Sequence, residues 1–276
     1  MKTRVDPSRL LALVDALAGR RVAVAGDLIA DEFIYGEIER VSREAPVLIL
    51  NYDSTEVVPG GAGNAAGNVA ALGGATRVVG LVGRDETGRR LLANLKRRRV
   101  DTSAVLRPSG YRTPTKTRIL AGGIHSAKQQ VVRIDRAAAA TADDKTRAAF
   151  EARVLRAVRG ADALIVSDYG SGLVTPALLA STRRILARKG NRPIVVDSRY
   201  NLLHFHGMTA CTPNESEVEQ ALGVRIGDNT RVLERAGRTV LAATRAAAVL
   251  ITRGSRGMAL FERNGRDPIF IPVSGT

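Results

Sequence analysis

The chain has 276 residues, 45% of them hydrophobic and 25% charged, with a formal net charge of +15 at pH 7; this is material for one large core in one domain or two. A single cysteine, Cys211, excludes an internal disulfide and suits a reducing, cytoplasmic location. No apolar run approaches the roughly 20 residues of a membrane span.

Residues 1–20 combine acidic residues with helically spaced Leu10, Leu11, Leu13, Val14 and Leu17, which predicts an amphipathic helix rather than a signal peptide. Short aliphatic runs at 22–25, 78–81, 163–166, 194–196, 248–251 and 258–261 predict core strands. Helical patterns fall between them at 64–72, 87–96, 142–158, 176–189, 214–222 and 230–243. The alternation predicts an α/β fold, a mostly parallel sheet flanked by helices with right-handed crossovers. Two β-rich stretches without a helix, 33–58 and 112–135, break the pattern and predict a small lid over the strand ends. The connection Gly122-Gly123-Ile124-His125-Ser126 reads as a hairpin tip, with His125 either a ligand contact or an exposed loop residue.

Of the 42 basic residues 36 are arginine, a skew that reads as coding bias rather than a selected patch. The densest run, Lys96-Arg97-Arg98-Arg99, follows Leu91, Leu92 and Leu95 and reads as the solvated end of a helix, favoured there by the helix dipole. With no aromatic interleaving and no recognition motif, neither a nucleic-acid nor a membrane partner is expected. Cys211 sits in an apolar approach to Thr212 and reads as a buried structural thiol.

At 57–73 a glycine-rich turn opens into a small-residue helix. Gly60 and Gly61 let backbone approach a ligand, and the Asn64 amide can both donate to and accept from sugar hydroxyls; the same pattern also serves as a plain turn. Ligands of open parallel sheets bind at the carboxyl ends of strands, where Asp27 follows the first one. Its carboxylate can take two adjacent hydroxyls, with Asp31 one turn further on, or it can cap a helix. Asn214 and Glu217, three apart, lie on one face of a helix started by Thr212-Pro213. The loop Thr252-Arg253-Gly254-Ser255-Arg256-Gly257 follows the 248–251 strand as a phosphate-binding turn, a hairpin turn, or both. Asp168 and Asp197 also follow strands and support metal or substrate, or form caps and turns. Asp135 ends a lid strand as a sugar contact or a cross-strand ion pair. Lys116 and Arg118 on the lid and Arg199 after Ser198 are candidates for a substrate phosphate, arginine suiting bidentate recognition.

These segments occur in one order: Gly26-Asp27-Leu28-Ile29-Ala30-Asp31, Ser42-Arg43-Glu44-Ala45-Pro46-Val47, the 59–73 loop, Thr113-Pro114-Thr115-Lys116-Thr117-Arg118, Gln129-Gln130-Val131-Val132-Arg133-Ile134-Asp135, Ser167-Asp168-Tyr169-Gly170-Ser171-Gly172, Thr212-Pro213-Asn214-Glu215-Ser216-Glu217 and Thr252-Arg253-Gly254-Ser255-Arg256-Gly257-Met258. In that order they resemble the PfkB (ribokinase-like) carbohydrate kinases over nearly the whole chain. The likeness runs furthest toward the kinase domain of D-glycero-β-D-manno-heptose-7-phosphate kinases. It implies one ribokinase-like α/β domain across 1–276, C-terminally incomplete, that transfers phosphate from ATP to a hydroxyl of a sugar, here a heptose 7-phosphate, with ATP and Mg²⁺ as cofactors. Substrate binding would fall to Asp27, Asp31, Gly60, Gly61, Asn64, Lys116, Arg118 and Asp135. Nucleotide binding would fall to Asn214, Arg199, Thr252, Gly254 and Gly257, with Glu217 acting through the metal's hydration shell. The family's catalytic Asp lies in an Asp-x-x-Gly-Ala-Gly-Asp type motif expected beyond Thr276, so no residue here is assigned as base. The chain reads as a truncated kinase. The alternatives are a pseudokinase that still holds sugar and nucleotide, or a PfkB kinase for another sugar. Partners are then a sugar or sugar phosphate and a second copy of the chain, paired through the lid.

Overall fold

The computed structural model describes residues 6–122, 128–137, 142–265 and 267–273; His125 and the tip of its hairpin lie outside them. In chain order the elements are α1 (Pro7–Asp15), β1 (Arg21–Gly26), β2 (Leu28–Val41), β3 (Leu48–Gly61), α2 (Ala62–Ala71), β4 (Ala75–Val79), α3 (Glu86–Arg97), β5 (Thr115–Gly122) and β6 (Gln129–Arg136). They continue with α4 (Asp144–Gly160), β7 (Ala163–Asp168), α5 (Pro176–Ala187), β8 (Ile194–Ser198), β9 (Ala210–Cys211), α6 (Glu215–Leu222), α7 (Thr230–Thr244), β10 (Ala248–Thr252), β11 (Met258–Glu262) and β12 (Ile269–Ile271).

Among the described residues, eight strands form one sheet in the order β12-β11-β10-β9-β8-β7-β1-β4. Pairing is parallel from β4 through to β10 and antiparallel from β10 to β12. The parallel part is buried on both faces, and the alternation of side chains along β1 shows why. Val24 packs with Leu28, Ala66, Val78, Leu91 and Leu95 under α2 and α3. Its neighbours Ala23 and Ala25 face the larger core of Phe150, Val154, Leu164, Leu179 and Val240 under α4, α5 and α7. Aspartate, threonine or asparagine side chains cap α3, α4, α5, α6 and α7, which sets each helix start just after a strand or loop.

The lid is a second sheet of order β3-β2-β5-β6. β2 pairs with β5 in parallel, while β3 and β6 run antiparallel to their neighbours. Its strands extend further into the core than the 33–58 and 112–135 excursions suggest: Leu28, Ile29 and Ala30 are buried, and Val57 to Gly61 completes β3. The expected turn before the glycine helix is therefore strand up to Gly61. Gly61 caps α2 at φ +55°, where a Cβ would stand 2.3 Å from the Asp27 carbonyl oxygen. The outer lid is exposed: Val131, Val132 and Ile134 on β6, together with Ile38 and Tyr52, leave apolar surface uncovered.

The expected amphipathic helix is present but short, and α1 buries no residue: Leu10, Leu11 and Leu13 are all exposed. Among the described residues no helix is long and apolar enough to cross a membrane.

Candidate functional site

The site lies at the carboxyl ends of β1, β7, β8 and β10. The chain passes from β1 through Asp27 straight into β2, so Asp27 caps no helix and Asp31 lies four residues along a strand, not one turn on. Gly26 makes this crossing possible: it sits at φ +148°, and a Cβ there would be 1.9 Å from the Ser167 carbonyl oxygen. The Asp27 side chain is turned onto the 169–171 loop, where Oδ2 accepts the Tyr169 N–H at 2.7 Å and the Ser171 N–H at 3.5 Å. Oδ1 accepts the Ser171 hydroxyl. Burial pushes the Asp27 carboxyl above its usual range, against the pull of these hydrogen bonds from Ser171 and Tyr169.

Asp168 holds the same loop in place. It accepts the Gly170 N–H at 3.0 Å, the Ser198 hydroxyl at 2.7 Å and the Asn201 amide at 3.3 Å, and it is 1% exposed. Of its two sequence readings, turn formation is the one the geometry bears out. Tyr169 and Ser171 carry no assignment from sequence; the signal was their place directly after a strand end, inside a stretch already singled out.

Asp27 opens onto a cavity of about 540 Å³ between the lid and the strand ends. Lys116, Arg133, Arg136 and Arg199 supply its positive charge, and Tyr169 and Tyr200 its rings. Lys116 Nζ lies 5.3 Å from the Tyr169 ring centroid, and the Arg199 guanidinium 5.5 Å from that of Tyr200. Arg199, grouped above with the nucleotide residues, thus stands on the Asp27 side. Its backbone N–H donates to the Asp168 carbonyl at 3.0 Å, which ties the backbone after β8 to the end of β7. Asp135 also lines the cavity, but its ion pair is with Arg133 two residues back on the same strand, at 2.9 Å, not across strands.

Arg118 is different. Its Nη1 pairs with Asp31 at 2.6 Å and its guanidinium lies 5.3 Å from the Phe33 ring centroid, so both members of this expected substrate pair are held by each other. Gly60 leaves room for that pair, since a Cβ would meet Asp31 Oδ2 at 2.4 Å. Asn64 is exposed on the first turn of α2. Among the described residues, Asp31, Gly60, Gly61, Asn64 and Arg118 do not line the cavity.

The second half of the cleft is built by α6 and the loop after β10. Asn214 and Glu217 form a reciprocal capping box: each side chain accepts the other's backbone N–H at 2.9 Å. Thr252 is tied beside them, its N–H donating to the Pro213 carbonyl at 3.0 Å. Gly254 (φ +56°) has open space around it, whereas a Cβ on Gly257 (φ +79°) would meet the Ile271 carbonyl at 2.1 Å.

Between the halves stands Asp197 at the end of β8. Burial, then the charges of Glu217 and Asp168, push its carboxyl up to about 6. Tyr169 is raised by burial and by the charges of Asp197, Asp31 and Glu217, so the two halves share one electrostatic environment. Among the described residues no group of three or more His, Cys, Asp or Glu is arranged to enclose a metal. The donor set nonetheless fits Mg²⁺, which keeps its waters and takes one or two carboxylates plus phosphate oxygens: Asp197 and Glu217 repel each other until a cation lies near both. Gly254 leaves its backbone free for close approach by a phosphate. Cys211 is buried and its thiol pushed up to about 12, in keeping with a structural role.

The pfkB family carbohydrate kinases match residues 21–273 of the chain. The bifunctional protein HldE of Trichlorobacter lovleyi is 35% identical over 270 residues, 98% of this chain and 53% of that protein. Its counterpart from Geobacter metallireducens is 40% identical over 247 residues, 88% of this chain and 48% of that protein. The chain therefore spans about half the length of the curated relatives it matches. Among solved structures, Arabidopsis thaliana ribokinase complexed with ribose and ATP superposes with a TM-score of 0.67 at 19% identity, over 93% of this chain and 78% of that one. On these likenesses and on its ribokinase-like sheet and lid, the chain belongs to the pfkB family of carbohydrate kinases.

Proposed function

We propose that this chain is the sugar-kinase part of an ATP- and Mg²⁺-dependent phosphotransferase whose substrate is a heptose 7-phosphate. The observation that carries the reading is the cavity in which Asp27, a hydroxyl acceptor, faces Lys116 and Arg199, two cations suited to a phosphate already on the sugar. Asp27 would orient the sugar hydroxyls, the lid would exclude water, and Thr252 and Gly254 would present hydroxyl and amide to the triphosphate on the turn that Gly257 closes, with Asn214 beside it and Glu217 and Asp197 toward the metal. Bound Mg·ATP would supply the γ-phosphoryl group. Asp31 and Arg118 would act from the lid as a pair, and Gly60 and Gly61 at the end of β3 with Asn64 on α2 would close on the sugar.

No Gly-Ala-Gly-Asp occurs within the 276 residues, and none of them is assigned as the proton acceptor. The same cavity and glycine loop would also serve a second reading, a chain that binds both ligands without turnover. A cytoplasmic setting goes with either, and the exposed apolar face of the lid supports pairing with a second copy.

Calorimetry with ribose, fructose, sedoheptulose 7-phosphate and manno-heptose 7-phosphate tests the substrate. The phosphorylated heptoses should rank first, and Lys116→Ala with Arg199→Ala should erase the ranking by about tenfold or more in Kd, as expected for two charge-assisted contacts. Equal affinity for the unphosphorylated sugars would return the reading to a pfkB kinase for another sugar. A monomer by light scattering would remove the lid-paired dimer and leave the kinase reading standing.

A further inference from the structure

The nucleotide half depends on two segments meeting correctly: the start of α6, which carries Asn214 and Glu217, and the Thr252–Gly257 loop. Glu215 joins them. It is the first residue of α6, and its carboxylate turns away from the capping box. Oε2 accepts the Arg253 Nε–H at 2.8 Å and Oε1 the Arg256 Nη2–H at 2.5 Å. Both arginines belong to the glycine loop. Arg253 also donates to the Gly227 carbonyl at 2.9 Å, and Arg256 to Asp228 Oδ1 at 2.8 Å, so the 227–228 turn is held as well. The side chains of Glu215 and Arg253 are 12% and 11% exposed, so water competes weakly for this pair.

The two ends of the loop are anchored, Thr252 by its N–H to the Pro213 carbonyl and Gly257 beside Ile271, while residues 254–256 between them are exposed. Its own closure is three backbone bonds: Arg253 N–H to the Gly257 carbonyl at 2.8 Å, Arg256 N–H to the Arg253 carbonyl at 3.1 Å and Gly257 N–H to the Gly254 carbonyl at 3.1 Å. Gly254 touches nothing that would fix it by packing. Two arginines in a triphosphate loop would ordinarily offer their own charge to the ligand. Here both guanidiniums are committed to Glu215, Gly227 and Asp228, which leaves the backbone between them to face outward.

We propose that Glu215 is a positioning residue for the nucleotide: through Arg253 and Arg256 it fixes the 252–257 loop against Asn214 and Glu217, so that the loop meets phosphate with amides rather than with mobile guanidiniums. This rests on the nucleotide reading of the same loop. Glu215→Gln keeps the shape and removes the charge. It should raise the Kd for Mg·ATP about tenfold, because a misplaced binding loop loses its contacts together, while the Kd for heptose 7-phosphate stays within about twofold and amide exchange at 252–257 quickens. Arg256→Gln, which loses only the outer half of the clamp at a side chain 39% exposed, should fold normally and weaken Mg·ATP about threefold; if Glu215→Gln fails to fold, this variant decides. Unchanged Mg·ATP affinity in the folded variants, or equal losses for sugar and nucleotide, would overturn the clamp alone. Absence of Mg·ATP binding in the unsubstituted chain would overturn the nucleotide reading first, and the clamp with it.

Discussion

Around Asp27, Lys116 and Arg199 line an open cavity beside the Tyr169 and Tyr200 rings, whereas at the start of α6 Glu215, Arg253, Arg256 and Asp228 close on one another and Asn214 closes on Glu217. The first half turns side-chain charge toward a cavity, and the second commits its side chains to placing backbone. The contrast teaches that a motif residue can be functional through what it holds still. Under the proposed function a substitution in the second half moves the ligand's seat, and one in the first removes a contact.

The glycines of the two halves separate crowding from conformation most strongly. Gly26→Ala forces a Cβ to within 1.9 Å of a backbone oxygen at φ +148°, and should cost about 3 kcal/mol or more of stability in urea unfolding. Gly254→Ala meets only the left-handed penalty at φ +56° in open space, and should cost about 1 kcal/mol in the same measurement. Similar costs at both positions would break the claim that the Asp27 crossing is built by close approach.

Asp27→Ala probes the side-chain half directly. It strips a hydroxyl acceptor and leaves the Tyr169 and Ser171 donors unsatisfied, so sugar-phosphate binding should weaken by roughly 1–3 kcal/mol with Mg·ATP affinity nearly unchanged. Calorimetry with each ligand checks this, and equal losses would point to a general folding defect.

The smallest expected effect is that of Asp197, which stands between the halves. Its folded pKa of about 6 lies above the ordinary 3.8, so in ligand-free protein its contribution to stability is fully present below about pH 4 and is lost as the pH rises through 6. Asp197→Asn should therefore raise the melting temperature at pH 7 and flatten its change between pH 5 and 7, and added Mg²⁺ should narrow the gap to the unsubstituted chain. A melting temperature lowered at pH 7 would show that Asp197 is held by a partner, not repelled by Glu217 and Asp168.

Much of the fold was legible because its strands are short aliphatic runs between helical patterns. β1, β7, β8, β10 and β11 fall within two residues of the expected positions. β4 came out earlier than expected, because after Val79 the backbone bonds instead to Leu106, whose N–H reaches the Gly80 carbonyl at 2.9 Å and whose carbonyl takes the Val82 N–H at 3.0 Å. β9 spans two residues and β12 three, too short for a periodicity to register.

The sequence by itself determined the α/β class, the lid, and the positions of Asp27, Lys116, Asn214, Glu217 and Thr252 at strand ends and helix starts, because local patterns and a characteristic order of motifs carry that information. Only the tertiary structure decided which charges are free. The register of β2 against β5 places Phe33 opposite Arg118, and Asp31 takes that guanidinium out of the anion site. The adjacency of β7 and β8 brings Arg199 to the cavity that Asp27 lines and gives Asp168 to Ser198. Ion pairs between residues 38, 41 or 87 positions apart depend on strand register and loop packing, and no local pattern encodes either.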